Sequence, residues 1–168
     1  MAWGLYKEKS NDKSLNTESF WKSYLSTLSE EEQKNVHSYV VDSFADTPEA
    51  ATKVGKLVRD GIKTTTSSLA WGLEHIGEPL PKVGEIDLIV DGNGEPLCII
   101  ELTEVEIKPF NAVDEQFAFE YGEGERTLAY WLSDNWDYLA RWCTKIGRVP
   151  SETMPIVFQR FRLLYPAK

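Results

Sequence analysis

The stretch Asp60-Gly61-Ile62-Lys63-Thr64-Thr65-Thr66-Ser67-Ser68 sets one lysine beside five consecutive hydroxyl residues. Lysine next to hydroxyls has two chemical uses. As a cation it holds a phosphate or a developing oxyanion. Desolvated, its pKa falls and it can act as a base that activates a threonine hydroxyl. A neighbouring carboxylate keeps the lysine charged or shuttles the proton itself. Two further polar clusters are candidates to converge with the first: Glu101 with Thr103, and the loop Glu123-Gly124-Glu125-Arg126-Thr127. Lys63, Thr66 and Glu123 would together make a complete hydrolytic set of base, nucleophile or water-orienter, and acid/base. The same residue types also occur as a structural lysine–glutamate pair, with threonines satisfying their hydroxyls in a sheet.

Composition narrows the chemistry. The chain of 168 residues is expected to be one domain with an added helical arm. Its net charge of −9 argues against a broad, non-specific nucleic-acid footprint. The charge is uneven: residues 72–137 carry sixteen Asp and Glu against three Lys and Arg, so the flanks are net positive. Lys53, Lys56 and Arg59 gather toward the end of a helix, where its dipole favours them, and with Lys63 they would form a positive rim. Two histidines and two isolated cysteines, Cys98 and Cys143, give no zinc spacing, so no metal is expected. Both cysteines read as small buried hydrophobes. Phosphate-loop and dinucleotide motifs are absent, so no cofactor is expected, and the carboxylates of Gly122-Glu123-Gly124-Glu125 would repel a phosphate. Six Trp, seven Tyr and seven Phe suggest a stacking surface as well as a core, with Trp71 readable either way. No apolar run approaches the ~20 residues that span a membrane, and Met1–Lys7 lack the apolar segment of a signal peptide. A cytoplasmic protein with no membrane partner is expected.

The elements that must position these residues follow from caps and periodicity. Residues 1–16 are weakly patterned. Thr17 is the expected N-cap of a first helix carrying Phe20, Trp21, Tyr24, Leu25 and Leu28. Ser29 opens a short second helix, and 36–46 is a short strand or an apolar connection. Thr47-Pro48-Glu49 starts a helix that runs to Asp60 and stops at Gly61. A β-like run covers 62–69, and Trp71–His75 is a helical turn. Glu85–Val90, turning at Asp91-Gly92-Asn93-Gly94 and returning from Pro96 to Ile107, is a hairpin. Its second strand is apolar at both parities, which predicts burial on both faces in a closed or strongly curved sheet. Helices follow at 113–121 and, capped by Thr127, at 128–146. Met154–Tyr165 is a last strand with one apolar and one basic face. The fold class is α+β, a small mixed or antiparallel barrel flanked by helices.

Gly61-Ile62-Lys63-Thr64-Thr65-Thr66 resembles the G-x-K-x-x-T signature of the ASCH domain family, which is related to the PUA fold. Three further segments agree in order and rough spacing: Leu80–Gly84 before the hairpin, Val105–Phe110 after it, and Glu123–Trp131. The last looks like the E-G-E-G-D-x-S-L-x-x-W segment of the longer members. The resemblance covers about residues 47–165 and implies an arm over 1–46 packed on an ASCH domain over 47–168. It implies a PUA-like barrel with Lys63 at the edge of a cleft, and a link to RNA recognition and metabolism. Some members hydrolyse the amide of N4-acetylcytidine with a Lys/Thr/Glu set, whose matching positions are Lys63, Thr66 and Glu123. Others are similar to metal-independent ribonucleases that rely on the lysine and a later hydroxyl, here Thr127. Gly61, Thr64, Thr65, Trp71, Glu101, Glu125 and Arg126 are the expected substrate-binding residues, and RNA or a modified nucleoside the expected partner. The alternatives are a non-catalytic RNA-binding or interaction module and a small-anion-binding domain. Three departures stand out: Tyr121 replaces the first glutamate of the acidic loop, Glu125 and Thr127 replace Asp and Ser, and Lys63 lies further from Glu123 than in the compact members.

Overall fold

A computed structural model describes residues 14–166; the expectation for residues 1–13 lies outside the described residues. The chain runs α1 (Leu15–Leu25), α2 (Glu30–Gln33), β1 (Val40–Asp42), α3 (Pro48–Arg59), β2 (Thr65–Leu69), α4 (Ala70–Ile76), β3 (Ile86–Val90), β4 (Pro96–Pro109), a 3-10 turn (Phe110–Ala112), α5 (Glu115–Glu120), α6 (Leu128–Lys145) and β5 (Pro155–Tyr165). Local chemistry sets most boundaries. Thr47 accepts from the Ala50 amide and Pro48 opens α3, while Gly61, at φ +66°, ends it. Ser29 and Glu32 form a reciprocal capping box on α2. The expected cap of α1 is corrected: Ser14, not Thr17, accepts from the backbone, and the Thr17 hydroxyl donates to Ser14 O at 2.9 Å. Both residue types cap helices, and the earlier one starts this helix.

The five strands form one sheet in the order β1-β3-β4-β5-β2. β1 runs parallel to β3, and every other pair is antiparallel. The class is therefore α+β with helices flanking a mixed sheet, as expected, but the sheet is open rather than closed into a barrel. The three-residue β1 and the five-residue β2 are its two edges, and they do not pair with each other. Register shifts at Ile99/Ile100 and Leu102/Glu104 interrupt the β4–β5 ladder, where bulges bend strands.

The doubly apolar β4 is explained by two cores, one on each face. Cys98, Ile100 and Leu102 pack with Val54 and Val58 of α3 and with Phe44. Ile99 packs with Leu88, Val90, Tyr24 and Tyr39, joined by Phe20 and Trp21 of α1. A third core sets Leu69, Ile156 and Phe158 against α5 and α6, with Trp131 at its centre. Among the described residues no helix is long and apolar enough to cross a membrane, and no group of three or more His, Cys, Asp or Glu is gathered as a metal site would require.

Both cysteines are free and buried, and burial pushes the Cys98 thiol up to about 12. The folded protein is expected to resist thiol labelling at pH 8 and to take up label at both positions on denaturation. Rapid labelling of the folded protein would contradict this packing.

Candidate functional site

The chain leaving α3 turns inward at Gly61. The amides of Ile62 and Lys63 both donate to Leu57 O, at 2.9 and 3.1 Å. Next, Thr64 N donates to Glu120 O at 2.9 Å, and Phe161 N donates to Thr64 O at 3.0 Å. These bonds fix Lys63 between α3, α5 and β5, with its side chain wholly out of solvent. Its Nζ lies 2.8 Å from Glu123 Oε1, donates to Tyr121 O at 3.1 Å and sits 3.4 Å from the centre of the Tyr121 ring. Glu123 is itself only 7% exposed. Burial pushes the Lys63 pKa below its ordinary value, and the Glu123 carboxylate opposes that shift.

The acidic loop is built to come this close. A Cβ on Gly122 would stand 2.6 Å from Ile62 O and 2.7 Å from Lys63 Cα, and one on Gly124 would penetrate the Tyr130 ring. Both glycines have positive φ, +74° and +55°. Gly122 therefore lets the backbone press against residues 62 and 63, Gly124 lets it pass the Tyr130 ring, and the carboxylate between them is brought onto the lysine.

The hydroxyl run divides by strand parity. On one face, Thr65 Oγ1 donates to Phe117 O at 3.1 Å, and Ser67 Oγ donates to Asn135 Oδ1 at 3.3 Å. These two tie β2 to α5 and α6. On the other face, Thr66 and Ser68 are buried, and neither hydroxyl has a hydrogen-bond partner among the described residues. An unmet buried hydroxyl costs about 1–3 kcal/mol, so two on one strand face is an arrangement that a ligand or water would relieve. Thr66 sits across from Gln159 of β5, and Ser68 across from Val157. Ser68 and Gln159 line a cleft of about 690 Å³ between residues 35–42, α4 and the 78–86 segment. Lys63 and Glu123 do not line it. Charged groups at the cleft are Asp42, Glu78 and Glu85 against Lys82, a net acidic set.

The remaining expected residues lie elsewhere. Glu101 is bound by Arg162, at 2.7 Å from Nε and 2.6 Å from Nη2, across the β4–β5 ladder. Thr127 is exposed and caps α6 by accepting from Tyr130 N at 3.1 Å. Arg126 donates to Phe119 O and lies over the Phe119 ring, while Glu125 is exposed. Trp71 packs at the edge of the α5–α6 core with the Arg148 guanidinium 5.1 Å from its ring centre, and it does not line the cleft. Gly61 is the exposed helix stop, and Thr64 acts through its backbone. Ser68 and Gln159 are absent from the sequence-based expectation. The available signals were Ser68's place in the hydroxyl run and a lone amide in the apolar set Val157/Gln159/Phe161.

An open α+β sheet with a buried lysine–glutamate pair behind a hydroxyl-bearing edge strand defines the class, and comparison with known proteins places it. The family model of the ASCH domain matches residues 40–165. The crystal structure of the ASCH domain from Lactobacillus crispatus JV V101 superposes with a TM-score of 0.86 at 30% identity, covering 94% of this chain and 99% of that one. Protein EF3133 from Enterococcus faecalis V583 superposes with a TM-score of 0.74 at 33% identity, covering 89% and 90%. A search of curated proteins found no match. The chain belongs to the ASCH domain family, a PUA-like fold often linked to RNA binding.

Removing one partner of a buried pair strands the other charge and costs about 3–5 kcal/mol, whereas replacing both is far cheaper. Lys63→Met and Glu123→Gln are each expected to destabilise in denaturant unfolding by about that amount, and the double variant by clearly less than their sum. Additive losses would contradict the pairing.

Proposed function

We propose that this ASCH protein binds a modified nucleoside, free or within RNA, in the cleft beside β2 and hydrolyses an acyl amide on its base. The observation that carries the reading is Lys63 held on Glu123 out of water, with the unpartnered Thr66 hydroxyl three positions along the same segment. A hydrophobic pair of similar volume would often pack as stably as such an ion pair. Buried groups with displaced pKa values cluster where chemistry is done. The acidic rim suits a neutral nucleoside better than a run of phosphates, which would call for several cations. The family resemblance supports the same substrate class.

In this reading the Thr66 hydroxyl orients a water and the Glu123 carboxylate takes its proton as the oxygen adds to the amide carbon. The Lys63 ammonium stabilises the oxyanion that forms. The C–N bond then breaks, and the proton held by Glu123 passes to the departing exocyclic amine. From N4-acetylcytidine the products are acetate and cytidine. A ribonuclease reading through Lys63 and Thr127 is less well supported, because Thr127 serves as the cap of α6.

One observation favours a second reading. Lys63 is closed off and outside the cleft lining. In a binding-only module the pair would instead weld the 122–126 loop to β2. Incubation with N4-acetylcytidine, followed by chromatography for cytidine, separates the two readings. Turnover is expected, falling about 10²-fold or more in Lys63→Ala and in Glu123→Gln. Because the cation is the active form and burial lowers its pKa, activity should fall on the alkaline side below pH 10.5. Saturable binding without turnover would select the binding module, and absence of both would overturn the proposal.

A further inference from the structure

The carboxamide of Gln159 forms no hydrogen bond among the described residues, although the residue is only 5% exposed and faces the cleft. Next to it on the same sheet face lie the Thr66 hydroxyl, across the β2–β5 ladder, and Ser68 Oγ, which also lines the cleft without a partner. Two uncharged polar groups, Ser68 and Gln159, thus share the cleft floor, and Thr66 adjoins them on the same sheet face outside the cleft lining. Apolar side chains of Leu73 and Ile76 of α4, with Val36, Pro79 and Pro81, line the cleft beside the charged rim of Asp42, Glu78, Lys82 and Glu85. Apolar surface with a few convergent polar groups is the usual form of a small-ligand site.

A carboxamide offers one donor and one acceptor in a plane, and a serine hydroxyl adds either. That set is complementary to a planar heterocycle presenting a donor and an acceptor side by side, as side-chain amides do with nucleobase edges. It has no charge with which to hold a phosphate. We infer that Gln159 and Ser68 form the base-reading floor of the cleft, taking the polar edge of a pyrimidine-like ring while α4 and the proline-bearing 78–86 segment cover its faces. The inference rests on the nucleoside reading of the cleft, and it assigns specificity to residues separate from the Lys63–Glu123 pair. Thr66 pairs with Gln159 across the ladder, just outside the cleft lining, and lies three residues after Lys63.

The test is calorimetric titration of the full chain with N4-acetylcytidine, with free cytosine and ribose as competitors. Gln159→Leu keeps the bulk and removes both hydrogen-bonding atoms. Ser68→Ala removes a hydroxyl that bonds nothing in the free protein, so its melting temperature is expected to hold. Affinity should fall at least tenfold in Gln159→Leu and severalfold in Ser68→Ala, with KM rising and kcat nearly unchanged wherever turnover is present. Cytosine should compete in the wild type and lose that ability in Gln159→Leu. Unchanged affinity in both variants, or competition by ribose rather than cytosine, would overturn the inference even if turnover were intact. Gln159-dependent binding without turnover would sustain it while the hydrolytic reading fails, and no nucleoside binding by the wild type would overturn both.

Discussion

An ammonium and a carboxylate held 2.8 Å apart out of water form the constraint to which the surrounding backbone conforms. Desolvating either group alone would be prohibitive, so each requires the other, and both require a backbone that can bring them together. The helix stop at Gly61 swings Lys63 inward, and Gly122 lets the loop carrying Glu123 touch residues 62 and 63 while Gly124 clears the Tyr130 ring. The Tyr121 carbonyl and ring complete the enclosure of Nζ. Both approach the cation without adding a second buried carboxylate.

The hydroxyl run shows how one strand serves two purposes. Its odd positions are consumed by structure: Thr65 and Ser67 bond to α5 and α6 and hold the edge strand to the helical layer. Its even positions, Thr66 and Ser68, face the other way and keep their hydroxyls unspent. β5 repeats the division, with Arg160 joining Glu120 beside α5 and Gln159 turned to the cleft. A period of two thus separates the groups that bond to the helical layer from those on the opposite face of the sheet.

Much of this was legible from sequence because the signals are local. Thr47-Pro48, Ser29 with Glu32, and Thr127 mark helix ends through bonds made within a few residues, and the Asp91–Gly94 turn fixes the hairpin. Ser14 and Thr17 compete for the same cap, and sequence alone does not rank them. Barrel closure is not legible in this way, because it depends on whether two distant edges meet, and β1 and β2 remain separate edges of the sheet. Lys63 and Glu123 were legible as a pair through residue type and family resemblance together. Gln159 was not, because its meeting with Thr66 depends on the register between β2 and a strand at the other end of the chain. Trp71 looked like a platform because an aromatic near a polar run reads equally as stacking surface or core.

The central claim is that Lys63 is a desolvated cation sustained by Glu123. Side-chain NMR of labelled lysine, followed through an alkaline titration, addresses it directly. One slowly exchanging Nζ signal is expected, titrating below the ordinary 10.5 and moving lower still in Glu123→Gln. If Lys63 exchanges with water and titrates like the surface lysines, with no response to Glu123, the account is contradicted.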